Sequence, residues 1–128
     1  MTSPLVPVSW GEFYDKISIL EIKATRIAEP EKLANVDREL TALLACASAQ
    51  PTVPELADLR LHLRRVNEML WDIEDRIREK EHEQAFDADF VELARSVYHR
   101  NDERAKIKRQ INELLQSGLI EEKSYSAY

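Results

Sequence analysis

A run of apolar residues over positions 56–77 constrains the fold of this chain more than any other feature. Its members alternate spacings of three and four, and they are Leu56, Leu59, Leu63, Val66, Leu70, Ile73 and Ile77. This heptad seam is typical of a coiled-coil helix that packs knobs into holes against a partner helix. We predict a helix over about residues 54–83, roughly 45 Å long at about 1.5 Å per residue.

The composition favours helices in the rest of the chain as well. Only 2 of the 128 residues are glycine, whereas all-β folds depend on glycine-rich turns. Ser9 and Glu12 have the spacing of a capping box, which predicts a first helix from Trp10 to about Ala28. Pro30 suits the first turn of a second helix over about residues 30–49.

The remaining boundaries come from proline, aspartate and glycine. The segment "QPTVP" at 50–54 is a rigid break before the third helix. Asp87 or Asp89 can cap a fourth helix, which should run to about Ser117 with Gly118 at its C′ position.

These elements predict an all-α fold. Helices 3 and 4 are similar in length and joined by a short turn, so we expect a long antiparallel helical hairpin. The two shorter helices should pack on it, which gives an arrangement like a four-helix bundle. We expect one domain over residues 1–128, with an extended arm at 1–8 and a frayed tail at 119–128.

Helix 4 interrupts its own seam. In the segment "SVYHRNDERAKIKR" (96–109), the seam positions hold Asn101, Arg104 and Lys108. The hairpin register places these polar residues opposite apolar positions of helix 3. Either helix 4 rotates or breaks near Asn101, with Asp102 capping a new segment, or another helix supplies polar partners.

Helix 1 offers those partners and has a second unusual feature. Asp15 and Glu21 lie on it and could face Arg104. Its main apolar stripe includes Phe13, Ile17, Leu20, Ala24 and Ile27. Ile19 and Ile22 lie nearly opposite, so helix 1 is either sandwiched within the domain or buried in a dimer interface. We take Ile19 and Ile22 as interface candidates.

Charge and cysteine usage exclude several classes of protein. The formal net charge of −6 disfavours generic nucleic-acid binding. The single cysteine, Cys46, lies in the apolar run "TALLACASA", where we predict a buried core residue. The N-terminal residues lack the pattern of a signal peptide, and no apolar stretch is long enough to span a bilayer. We therefore expect a cytoplasmic protein without membrane insertion.

The acidic residues carry only weak signals for metal binding. Asp72 and Asp75, like Glu12 and Asp15, have the i, i+3 spacing that helical pyrophosphohydrolases use for magnesium. Ordinary i, i+4 ion pairs, such as Asp72 with Arg76, explain much of this charge pattern. We predict no metal, no cofactor and no catalytic residue.

Three stretches resemble a bacterial family of small all-helical proteins known only as a domain of unknown function. They are "FYDKISILEIKATRI", "VNEMLWDIEDRIREKE" and "FVELARSVYHRNDERAKIKRQIN", in this order. The resemblance implies no reaction, but it points weakly to glycan or glycosyltransferase pathways. The segment "LRLHLRRVNEMLWDIEDRIREK" also resembles the long first helix of all-α chorismate mutases, which would make Arg60, Arg64 or Arg65 ligands for a dicarboxylate.

Two functions remain open from the sequence. The first is a non-catalytic interaction or assembly module, which would self-associate as a homodimer or other homo-oligomer or bind a protein partner. The second is an enzyme or a ligand-binding domain for a small anionic, phosphorylated or nucleotide-sugar ligand. Its candidate residues are Asp15, Lys16, Glu21, Asp75, Tyr98, Asn101, Asp102, Arg104 and Lys108.

Overall fold

The computed structural model describes residues 2–50 and 53–128. Within these ranges it contains no strand and four helices: α1 (Trp10–Arg26), α2 (Pro30–Ala47), α3 (Pro54–His82) and α4 (Ala88–Leu114). The predicted all-α class is confirmed, and each helix ends slightly earlier than predicted. The predicted arm at 1–8 and the predicted break at 50–54 each include residues outside the described ranges.

Side-chain caps begin α1 and α4 as the sequence indicates. The Ser9 hydroxyl accepts a hydrogen bond from the Glu12 amide at 3.1 Å. Asp87, and not Asp89, caps α4, because its carboxylate accepts from the Phe90 amide at 3.0 Å. Each cap pairs an amide that has no partner inside its helix.

The ends of α3 and α4 use glutamine where glycine is the usual residue. Gln84 and Gln116 have φ angles of 56° and 53°, the left-handed conformation that closes a helix. After α4, the Ser117 amide donates back to the Asn112 carbonyl at 2.8 Å. The prediction of Gly118 at the C′ position is therefore wrong, since α4 ends at Leu114 and Gln116 makes the turn.

The first helix is the centre of the fold. It packs against each of the other three helices, while α3 and α4 form the largest helix pair. Within the described chain, the backbone of α2 approaches only α1. Other parts of the chain thus cover most of both apolar faces of α1, but not Ile19. Ile22 is 1% exposed, which corrects its assignment as an interface candidate, whereas Ile19 stays partly exposed.

The main core lies where α1 covers the hairpin. Its buried members are Tyr14, Ile17, Leu56, Leu63, Val66, Ile107 and Ile111. Near its C-terminal end, α1 contacts α3 through Arg26, whose guanidinium lies 2.5 Å from the Asp72 carboxylate. Beyond that contact the hairpin continues as two helices, and we call residues 73–98 the arm.

The outer surface of α2 corrects one further prediction. Cys46 is exposed, not buried. Since α1 covers α2 on one side, only the stripe that includes Val36, Leu40 and Leu43 is shielded, and Cys46 lies beside that stripe. None of the helices in the described residues is long and apolar enough to cross a membrane.

Candidate functional site

A buried carboxylate lies at the junction of α1, α3 and α4. Asp15 of α1 is 1% exposed. Its two oxygens accept from the Nε and Nη2 atoms of Arg104 on α4, the first at 2.9 Å. Asn67 of α3 donates from Nδ2 to Asp15 at 2.9 Å and also to the Ser18 hydroxyl at 2.9 Å. Asp15 therefore joins all three helices through charge-assisted hydrogen bonds.

A buried lysine lies one turn further along α4. The Lys108 ammonium is 2.8 Å from a Glu12 oxygen, 3.1 Å from a Glu121 oxygen and 3.9 Å from Asp15. Burial lowers the pKa of Lys108, but the hydrogen bond that Lys108 donates to Glu12, the charge of Asp15 and the hydrogen bond that it donates to Glu121 outweigh burial and raise the pKa above its ordinary value. We call Glu12, Asp15, Arg104, Lys108 and Glu121 the ion-pair centre.

The ion-pair centre explains the interrupted seam of helix 4. The helix runs unbroken through Asn101 and Asp102, so it neither kinks into a new segment nor needs Asp102 as a cap. Its polar residues are matched because α1 places Asp15 against Arg104. Glu21 does not take part, and its nearest cation is Arg64 at 4.0 Å.

A glycine allows α1 to approach α4 this closely. The Gly11 amide donates to the Asn112 side-chain oxygen at 2.7 Å. A Cβ atom on Gly11 would overlap the Lys108 backbone carbonyl and lie 2.9 Å from the Asn112 oxygen. The close approach brings Glu12 within reach of Lys108.

The other predicted ligand residues lie elsewhere. Lys16 is exposed and pairs with Glu39 of α2 at 2.8 Å. Asp75 is exposed on α3 beyond the end of α1. Asp102 accepts a hydrogen bond from the Tyr128 hydroxyl at 2.5 Å. Of the predicted set, only Asp15, Arg104 and Lys108 come together in the ion-pair centre.

Two clefts flank the exposed part of Arg104. A cleft of about 1020 Å³ separates α4 from the C-terminal residues, and it is lined by Tyr98, Asn101 and Arg104 among others. A cleft of about 390 Å³ lies where α1 leaves the hairpin, and Arg104 and Asp75 both line it. The Arg104 side chain is 28% exposed, and its salt bridge with Asp15 holds it between the two clefts. The hydrogen bond that Arg104 donates to Asp15 raises the pKa of Arg104 above its ordinary value.

Sequence reasoning missed several members of this site. The sequence predicted Glu12 as part of a capping box and gave it a metal-like spacing, but not as a partner of Lys108, although Glu12, Asp15 and Ser18 share one face of α1 at intervals of three. Asn67 directly follows the seam residue Val66, and no pattern in the sequence indicates that Asn67 is buried. Glu121 lies in residues predicted to fray, where no periodicity indicates a contact.

The chemistry of the centre is that of a closed ionic network. It contains three carboxylates and two cations, and no buried side-chain nitrogen or oxygen in the described residues lacks a hydrogen-bond partner. In the same part of the chain, no three acidic, histidine or cysteine residues group closely enough to hold a metal ion. Of the arginines suggested by the chorismate mutase resemblance, Arg60 lies over the Tyr14 ring and Arg64 binds Glu68.

The chain is thus a small all-α protein in which α1 lies at the centre and an ion-pair network joins α1 to α4. The chain belongs to the family of unknown function DUF6165, whose family model matches residues 5–128. This match confirms the predicted membership of a domain-of-unknown-function family. No curated protein and no solved structure matches the chain.

Proposed function

We propose that this chain is a non-catalytic assembly module and that its arm, residues 73–98, pairs with the arm of a second copy. The observation that carries the proposal is a contrast in burial along one hairpin. Where α1 covers it, Leu63 and Ile111 are completely buried. In the arm, Leu93 is the only buried residue, and Ile73 and Ile77 of the α3 seam stay partly exposed.

Two helices alone bury little apolar surface, because each seam is covered from one side only. A second hairpin laid against the arm would complete a four-helix bundle, the usual way in which such seams are closed. Exposed apolar residues support this arrangement. Phe86 and Val91 of the arm are 55% and 53% exposed.

The 390 Å³ cleft supports the same proposal. It begins at Ile19, next to Leu70 and Trp71, at the place where α1 stops filling the groove of the hairpin. An occupant that continues along this groove would cover both Ile19 and the arm. This part of the proposal retains Ile19 as an interface residue.

The ion-pair centre supports an architectural role over a catalytic one. Asp15 and Lys108 are buried and paired, so neither is free to act on a substrate. We further propose that the chain is a single domain with a cytoplasmic location and a partner from glycan or glycosyltransferase pathways.

Sedimentation of matched variants tests the assembly. We expect the wild-type chain to dimerise at micromolar concentration and Val91→Glu to weaken the dimer at least about tenfold, because a carboxylate would lose its hydration in the interface. Leu44→Glu is the control, since Leu44 is a 41% exposed apolar residue on α2, away from the arm. A monomeric wild-type chain, or equal effects of the two variants, would refute the proposal.

The alternative is a binding domain for a small anionic ligand in the 1020 Å³ cleft. Arg104 favours it, because its contacts with Asp15 use Nε and Nη2 while Nη1 has no hydrogen-bond partner in the described chain. Tyr98 and Asn101 line the same cleft. A thermal-shift screen with nucleotides and nucleotide sugars tests it, because a ligand of the native state must raise stability. A shift that survives Asn101→Leu would place the ligand elsewhere.

A further inference from the structure

The C-terminal residues form a second feature that the assembly proposal does not use. Residues 119–128, which we call the tail segment, have no regular secondary structure and are exposed. They nevertheless return along α4, in contrast to the free end expected from a frayed tail. Glu121 reaches Lys108 at 3.1 Å, and Glu122 reaches Arg109 at 3.3 Å.

The other end of the tail segment has an aromatic anchor. The Tyr128 ring lies over α4, with its centroid 4.9 Å from the Tyr98 ring and 4.7 Å from the His99 ring. Its hydroxyl donates to the Asp102 carboxylate at 2.5 Å. The tail segment is thus held at two places, by an acidic pair at one end and by an aromatic ring at the other.

The tail segment leaves open space along α4 around its aromatic anchor. The cleft of about 1020 Å³ lies there, with Ser126 and Ala127 on the side of the tail segment and Ala94 and Val97 on the side of α4. A further cleft of about 280 Å³ lies beneath Glu121 and its neighbours. Tyr125 lines the larger cleft but remains 80% exposed. At Ser126 and Ala127 the tail segment therefore presents small side chains to a groove that could hold larger ones.

We propose that this face of α4 is a docking site for an extended peptide of a partner protein, and that the tail segment is its internal occupant. The partner peptide would carry two adjacent acidic residues for Lys108 and Arg109, and an aromatic residue for Tyr98 and Asp102. Between them it would carry a larger apolar residue in the position of Ala127. Charge complementarity and the unfilled groove together specify this chemistry. The groove shares Ala94, Val97 and Tyr98 with the arm, but the proposal requires no second copy of the chain.

The test uses the full-length chain and a labelled peptide with the sequence of residues 119–128. In one variant, called the weakened variant, Glu121→Gln, Glu122→Gln and Tyr128→Ala remove the contacts that hold the tail segment on α4. We expect this variant to bind the peptide at least about tenfold more tightly than the wild-type chain, whose tethered tail competes at an effective concentration on the order of millimolar. Fluorescence anisotropy measures both affinities.

Charge reversal and groove filling make the test specific. Arg109→Glu in the weakened variant should reduce binding several-fold, and a peptide with lysine in place of Glu122 should recover it. A peptide carrying Ala127→Leu should bind several-fold more tightly than the native sequence, because the added side chain fills the groove.

Three results would overturn the proposal. The first is no binding by a weakened variant whose circular dichroism spectrum matches that of the wild-type chain. The second is equal binding of a scrambled peptide with the same composition. The third is equal affinity of the wild-type chain and the weakened variant. Sedimentation of the weakened variant should match that of the wild type, which separates this outcome from failure of the arm proposal.

Discussion

Removing the charge of Asp15 should destabilise the chain more than any change at a surface ion pair. Asp15→Asn keeps the size of the side chain but removes one of the two acceptor oxygens that bind Arg104. It also removes the negative charge that lies 3.9 Å from Lys108. Arg104 and Lys108 would then remain at least partly buried without the negative charge that offsets their own charges.

The expected loss follows from the burial of the two partners. Breaking one side of a buried ion pair costs about 3–5 kcal/mol. The Arg104 side chain is 28% exposed and can reach water, which places Asp15→Asn near the lower end, at about 3 kcal/mol. Arg104→Met should cost about 2–3 kcal/mol, because Asn67 continues to donate to the stranded carboxylate. The double variant should cost about 2 kcal/mol less than the sum of the two single losses.

Urea unfolding, followed by circular dichroism, measures the stability of the wild-type chain, the two single variants and the double variant. A loss of about 3 kcal/mol should lower the unfolding midpoint by roughly 1–3 M urea for a chain of this size. Glu74→Gln is the control, since it removes an exposed pair with Arg78 at 3.4 Å and should change stability by less than about 0.5 kcal/mol. Additivity within about 0.5 kcal/mol would refute the coupling of Asp15 with Arg104.

Two further predictions concern the approach of α1 to α4 and the buried lysine. Gly11→Ala should cost about 1–3 kcal/mol of unfolding free energy, because its methyl group would overlap the Lys108 carbonyl, whereas Gly118→Ala, with nothing within 4 Å of its added Cβ, should be nearly neutral in the same urea assay. The pKa of Lys108 is raised above 10.5 in the folded chain, so its contribution to stability is complete below that pH and is lost as the pH rises through the folded pKa. Urea unfolding between about pH 9 and 12 should show a steeper loss of stability for the wild-type chain than for Lys108→Met, and equal slopes would contradict this assignment.

The sequence determined the helices and the location of the polar interruption. Heptad spacing from Leu56 to Ile77 predicted α3, Ser9 predicted where α1 begins, and Asp87 or Asp89 was predicted to begin α4, which Asp87 does. These features act within a few residues of each other along the chain, so they can be read without knowledge of the fold. The same periodicity showed that Arg104 and Lys108 needed partners.

Only the tertiary structure decided which partners they have. Asp15 and Glu21 were equally available in the sequence, but the direction in which α1 crosses the hairpin brings Asp15 to Arg104 and leaves Glu21 beside Arg64. Glu121 could not be predicted, because its contact with Lys108 depends on the path of residues without periodicity. Local rules specify each helix, whereas contacts between helices depend on crossing geometry that no single helix encodes.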